Sequence, residues 1–182
     1  MPNDTARGRS NHSQLLSRIH LFLIDEMTFD GTPVADLVLD LHAEPRAVAT
    51  LPVPAGLLGD SDREVLVAEV DDLRATRLFA EDRDLAYHPA PLSVSVARTP
   101  EGFEVTVTAE SFARDVTVLA DRVAPDAVVD EQLVDLLPGE SRTFTVRTTA
   151  AADPGGFLAP EVVRSANALA APVSGAVSAG EN

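Results

Sequence analysis

LSVSVARTPEGFEVTVTAE, residues 92–110, decides the fold class. Side chains of a β-strand alternate between two faces, so Leu92, Val94 and Val96 share one side of a first strand, and Phe103, Val105 and Val107 one side of a second. Pro100-Glu101-Gly102 lies between them and turns the chain into a hairpin. DVTVLAD (115–121) and RTFTVRT (142–148) repeat the pattern, with Val116, Val118, Phe144 and Val146 on the apolar side. Strands recur about every ten residues with no long helix between them, the spacing of an all-β sandwich. Its expected interior is Val94, Val96, Phe103, Val105, Val107, Val116, Val118, Leu136, Phe144 and Val146.

Between two of these strands runs VDEQLVDLLPGE, residues 129–140, with four carboxylates: Asp130, Glu131, Asp135 and Glu140. A glycosidase needs two carboxyl groups set across a sugar cleft, usually with aromatic platforms. Here aromatic residues are 4% of the chain and tryptophan is absent. Leu137-Pro138-Gly139-Glu140 instead reads as a type II turn, with proline at its second position and glycine supplying positive φ at its third. Glu140 is then expected to start the next strand, exposed.

Upstream the alternation is less regular. IHLFLIDEMTF (19–29) stops at Asp30-Gly31, a hairpin dipeptide, and VADLVLDLHA (34–43) returns. AVATLPVP (47–54), REVLVAEV (63–70) and LRATRLFAE (73–81) are the further candidate strands, five in all. EDRDLAYHPAP (81–91) carries two prolines and little periodicity, as a linker does. After residue 149, FLAPEVVRSANALA (157–170) is expected to hold one short helix, and the end of the chain is small and polar. The reading divides the chain into a disordered N-terminal arm (1–18), a partial β-sandwich (19–80), a linker (81–91), a sandwich (92–149) and a helix with a disordered tail (150–182).

Composition sets limits on function. The 182 residues are 45% hydrophobic, enough for a sizeable core, and carry 14 basic against 29 acidic side chains, a formal charge of −15. Such a chain is repelled by phosphate backbones and anionic membranes, so neither nucleic acid nor a membrane is an expected partner. There are no cysteines, which rules out disulfides, thiolate metal sites and cysteine nucleophiles. All the basic residues are arginine, a habit of GC-rich bacterial genomes. LFLID after His20 is too short for a signal or spanning segment, and the expected location is cytoplasmic.

Asp60, Asp62, Glu64 and Asp71 resemble a calcium loop in spacing, yet Val65 stands where the sharp turn needs glycine, and 65–70 reads as a strand. His12, His20, His42 and His88 lack metal-ligand spacing. No serine sits in a nucleophile elbow. Asn11-His12-Ser13 is read as a chance glycosylation triplet. Arg114-Asp115 and Arg77 are read as surface ion-pair members. The expectation is no catalytic residue, no metal and no cofactor.

Three stretches carry a resemblance: RLFAEDRDLAYHPAPLSVSV (77–96), ARDVTVLADRVAPDAVVDEQLVDLLPGESRTFTV (113–146) and VVRSANAL (162–169). They look like the C-terminal end of bacterial β-mannosidases of glycoside hydrolase family two. Phe79, Ala80, Glu81, Asp84 and Leu85 fit the segment by which that family enters its last immunoglobulin-like sandwich. Asp130, Leu133, Asp135, Leu136, Leu137, Pro138, Gly139 and Glu140 fit the segment before a late strand of it. Glu131 and Leu133 stand where the family usually has asparagine and an aromatic. The resemblance spans residues 19 to about 170. It implies two tandem immunoglobulin-like modules, the first incomplete, and a parent enzyme that hydrolyses terminal non-reducing β-D-mannose residues in a (β/α)₈ barrel. A barrel takes roughly 250 residues, more than this chain has, so no catalytic residue transfers to it. The expected role is a non-catalytic module. The expected partners are the parent's catalytic barrel or, through a sheet edge left open near Leu21, Leu23 and Phe29, another copy. The alternative is an autonomous carbohydrate-binding or protein-interaction sandwich.

Overall fold

A computed structural model describes residues 19–42, 46, 48–59, 61–89 and 92–170. The chain first forms a four-stranded antiparallel sheet from β1 (Ile19–Thr28), β2 (Pro33–His42), β3 (Glu64–Val70) and β4 (Leu73–Leu78), in the order β2-β1-β3-β4. The Asp30-Gly31 hairpin forms as read: Gly31 takes φ 88°, and Ile24 faces Leu37 on one side and Ala68 on the other. In β3, Val65, Leu66 and Val67 are all buried, which explains its nearly continuous apolar run. Val65 and Val67 point one way, with Met27 and Leu78. Leu66 points the other way with Ile24, Ala35 and Leu37, under Val53, Leu57 and Phe79.

Two readings of this half change. AVATLPVP is no strand over its described residues 48–54; Pro52 and Pro54 lack the donors a ladder needs, and Val53 serves as a cover for the sheet. Among the described residues, then, 19–80 form one four-stranded sheet where five strands of a partial sandwich were expected. Phe29, expected beside an open edge, is 2% exposed. The side chains of Leu21 and Leu23 lie outside the described residues.

The second half is a sandwich. One sheet has the order β5-β6-β10-β8, built from β5 (Leu92–Thr99), β6 (Gly102–Ala109), β10 (Ser141–Arg147) and β8 (Val128–Val129). The other is β11-β7-β9, from β11 (Val163–Arg164), β7 (Ala113–Val118) and β9 (Val134–Leu136). Phe103, Val105, Val107, Val116, Val118, Leu136, Phe144 and Val146 are buried in its core, with Val94 and Val96 packed partly buried against them, so the register is the one the alternation implies. The type II turn is present: Gly139 has φ 82°, and the Glu140 N–H donates to the Leu137 carbonyl at 3.0 Å.

The core does not stop at residue 149. Phe157, fully buried, packs its ring 4.9 Å from that of Phe103, and Val162 and Val163 fill the same interior. The one short helix expected after Pro160 is α1 (Ala166–Ala170), and before it Val163 and Arg164 pair with β7. β-Branched Val163, facing the core, takes the strand role.

The segment read as a linker joins the halves tightly. Phe29 stacks on Tyr87 at 5.1 Å and on Phe112 at 5.6 Å between ring centroids, with Leu85 and Leu137 in the same cluster. The Phe112 N–H donates to the Phe29 carbonyl at 2.7 Å, and the Ala86 N–H to the Asp62 carbonyl at 2.8 Å. Asn167, fully buried, accepts from the Arg114 N–H at 2.9 Å and donates to the Phe112 carbonyl at 2.8 Å, which ties α1 to the same place.

The two turns offer a paired test. A side chain at Gly31 would meet Pro138 at 3.1 Å, whereas one at Gly139 would meet nothing within 4 Å, and both backbones have positive φ. Gly139→Ala should lose only the left-handed conformational penalty, about 1 kcal/mol. Gly31→Ala should lose roughly twice that, because the hairpin tip must also move off the Pro138 turn. Urea denaturation of the two variants measures the difference.

Candidate functional site: a carboxylate-lined cleft

Strands β8 and β9 are only two and three residues long, and the polar side chains of residues 130–135 complete the pairing they leave unmade. Asp130 Oδ1 accepts the Thr145 N–H of β10 at 2.9 Å. The Gln132 amide accepts from the Val118 N–H at 3.0 Å and donates to the Val118 carbonyl at 2.9 Å, in the manner of one more strand residue beside β7. Asp135 Oδ1 accepts the Asp115 N–H at 3.0 Å, at an irregularity between Ala113 and Val116 in the β7–β9 register. Three side chains of residues 130–135 thus do ladder work, because buried or half-buried backbone donors must find partners.

The remaining carboxylates pair with arginine. Glu131 holds Arg142, its Oε2 at 2.7 Å from Nη2 and its Oε1 bonded to Nε. Glu140 takes both ends of the Arg74 guanidinium, at 2.7 and 2.6 Å, and also accepts the Leu137 N–H of its own turn at 2.8 Å. Arg74 bonds Glu69 of β3 as well, at 2.7 Å. A second tie crosses nearby, from the Thr76 hydroxyl to Asp135 at 2.6 Å. Glu140 is therefore half-buried and engaged, where the sequence reading had it exposed; the chain supplies its partner from 66 residues away.

These contacts bound a cleft of about 790 Å³ between the first sheet and the sandwich. Among the described residues, seven carboxylates and two guanidiniums line it. The Arg74 hydrogen bonds hold the Glu140 carboxyl below its ordinary range against the opposing effect of burial. Burial, and then the neighbouring Asp135 charge, pushes Asp115 up. Asp71, Asp115 and Leu133 on the wall all have positive φ, at 53°, 52° and 59°. Leu73 and Leu133, also on the wall, are 67% and 66% exposed.

The other candidates fall elsewhere. Asp60 and His12 lie outside the described residues, as do the side chains of His20 and His42; His88 is exposed. Val65 is a buried strand residue, as its place in the calcium-like spacing required of a strand reading. Among the described residues no group of three or more His, Cys, Asp or Glu is arranged to hold a metal ion. Arg114 pairs with Asp82, which also accepts the Tyr87 hydroxyl at 2.8 Å, and lies 3.5 Å from Asp115. Arg74, Thr76 and Asn167 carry the cross-chain contacts, and no local pattern singles them out.

Residues 87–169 match the Ig_mannosidase family model, an Ig-fold domain. This stretch is an Ig-like domain of mannosidase type. The Ig-fold domain so defined runs from Tyr87 of the aromatic stack through all seven sandwich strands to α1, and the β1–β4 sheet precedes it. No curated protein matches the chain.

Glu140 gives a pH-dependent test. Its folded carboxyl is held below the unfolded value, so its contribution to stability is present above the unfolded carboxylate range and is lost as pH falls through the folded one. Glu140→Gln should cost about 1 kcal/mol at pH 7, discounted because the pair is about one-third exposed. Chemical denaturation at stepped pH should show the two stabilities converging as the carboxyl protonates.

Proposed function

We infer that the chain serves as the non-catalytic C-terminal Ig-like module of a β-mannosidase-type glycoside hydrolase of family two, from a bacterial source. The parent enzyme would hydrolyse terminal non-reducing β-D-mannose residues in its barrel, and that barrel is the partner this module supports. The observation that carries the reading is the mannosidase-type Ig-fold match over residues 87–169. The chemistry of the cleft supports it. Glu131, Asp135 and Glu140 each hold a hydrogen-bond or ion-pair partner, so none stands as the uncommitted, proton-bearing acid that glycoside hydrolysis uses. Among the described aromatic side chains, Phe29, Phe103, Phe112, Phe144, Phe157 and Tyr87 are buried and Phe79 is half-buried, whereas a sugar-stacking platform must be exposed. For the isolated chain, the outer edge of β2, with Val34 and Val38 half-exposed, is the surface we assign to self-association.

Purified chain should release no mannose from an aryl β-mannoside above the buffer rate. Added to a family-two catalytic barrel that lacks its own terminal Ig-like module, it should raise the barrel's melting temperature. Turnover that co-purifies with the chain and vanishes in a folded Glu131→Gln variant would overturn the reading.

A further inference from the structure

Two leucines of the cleft wall are largely exposed. Leu133 holds a left-handed backbone that a bulky side chain adopts only at a cost of about 1 kcal/mol, and it shows two-thirds of its surface to water. Leu73, on β4, is exposed to the same extent. Around them the lining charge is strongly negative, seven carboxylates to two guanidiniums, and both guanidiniums are already taken by Glu69, Glu140 and Glu131. Asp72 is exposed at the rim, and Asp115 lies in the field of Asp135. An occupant that suits this surface is cationic and carries an aliphatic side chain.

The chain contains such a segment, tethered beside the cleft. Residues 1–18, MPNDTARGRSNHSQLLSR, bear Arg7, Arg9 and Arg18 against a single acid, Asp4, and include the pair Leu15-Leu16. The rest of the molecule is acidic, so the arm has the opposite sign to the body that carries it. Strand register fixes where the arm begins. Phe22 of β1 pairs with Val70 of β3, so Ile19 emerges at the end of the sheet where the Asp71-Asp72 turn forms the cleft's rim. Adjacent strands lie about 4.8 Å apart, and three residues advance about 10 Å. Arg9 stands nine residues before Arg18, a reach of roughly 30 Å when extended. Covalent linkage also raises the arm's effective concentration at the cleft, to about the millimolar range for a short tether.

We propose that the cleft is the docking site of the chain's own residues 1–18, with Arg7 and Arg9 among the carboxylates around Asp72 and Asp115 and Leu15-Leu16 against Leu73 and Leu133. Docking neutralises part of the cleft's charge and covers both exposed leucines. It is electrostatic in the main, so salt weakens it.

The absence of cysteine makes the test clean, because Ser10→Cys in the full chain accepts one nitroxide label. Amide signals of Asp72, Leu73 and Leu133 should weaken at least about threefold relative to the reduced label in about 20 mM salt, and recover in about 0.5 M salt. Arg7→Glu with Arg9→Glu should abolish the effect while the rest of the spectrum keeps its dispersion, since neither arginine belongs to the folded sheets described above. Mixing labelled, isotope-free chain with unlabelled ¹⁵N chain separates the occupants: the expected result is no weakening in the mixture. Weakening that persists in the mixture would assign the cleft to the arm of a second copy and overturn the proposal. So would a cleft untouched by the label, or an effect that charge reversal does not change.

Discussion

Phe29 lies against both Tyr87 and Phe112, and the placement of the first sheet against the sandwich follows from that stack. Phe29 sits at the tip of the first hairpin, Tyr87 in the connection and Phe112 at the entry to β7. Offset aromatic pairs of this kind add about 0.5–1.5 kcal/mol each beyond the area they bury. More important is what they fix. With the hairpin tip held against the sandwich, Gly31 reaches the Pro138 turn, and β4 comes alongside β9 and the turn after it, which carry Asp135 and Glu140. The Arg74–Glu140 and Thr76–Asp135 contacts need that placement, and the cleft is the space they leave.

The acids of residues 129–140 show how little a run of carboxylates says about catalysis. Asp130, Gln132 and Asp135 replace missing ladder hydrogen bonds beside very short strands, while Glu131 and Glu140 anchor arginines. A loop that must cross from one sheet to the other has unpaired backbone donors along its path, and carboxylates and amides are the side chains that satisfy them. The negative charge concentrated there is then a by-product of construction, available to a cationic partner.

The sandwich was legible because its strands are half-buried and strictly alternating: Phe103, Val105 and Val107 announce their own face. The turns at Pro100-Gly102 and Pro138-Gly139 were legible because each needs a backbone few residues adopt. The first sheet read less well. β3 is covered on both faces, so Val65-Leu66-Val67 has lost its alternation, and AVATLPVP alternates although its prolines keep it out of a ladder. The cleft was not legible at all beyond its carboxylates. Arg74 and Thr76 meet their partners 66 and 59 residues away, and Asn167 meets Phe112 across 55, separations at which local pattern carries no signal. Residues 157–163 were assigned outside the core because Phe157, Val162 and Val163 are spaced as readily for a helix as for the strand and turn they form.

The central claim is that the four-stranded sheet and the mannosidase-type Ig-fold domain are one cooperative body joined at the Phe29 stack. Native-state hydrogen exchange at the amides of Val67 in β3 and Val105 in β6 tests it most directly, since each sits deep in its own sheet. If the halves open together, the two amides share one opening free energy, and Phe112→Ala lowers both by the same amount, about 3 kcal/mol or more. An opening of Val67 that is several kcal/mol easier than that of Val105, and unchanged by Phe112→Ala, would show the sheet to be an independent appendage and contradict the account.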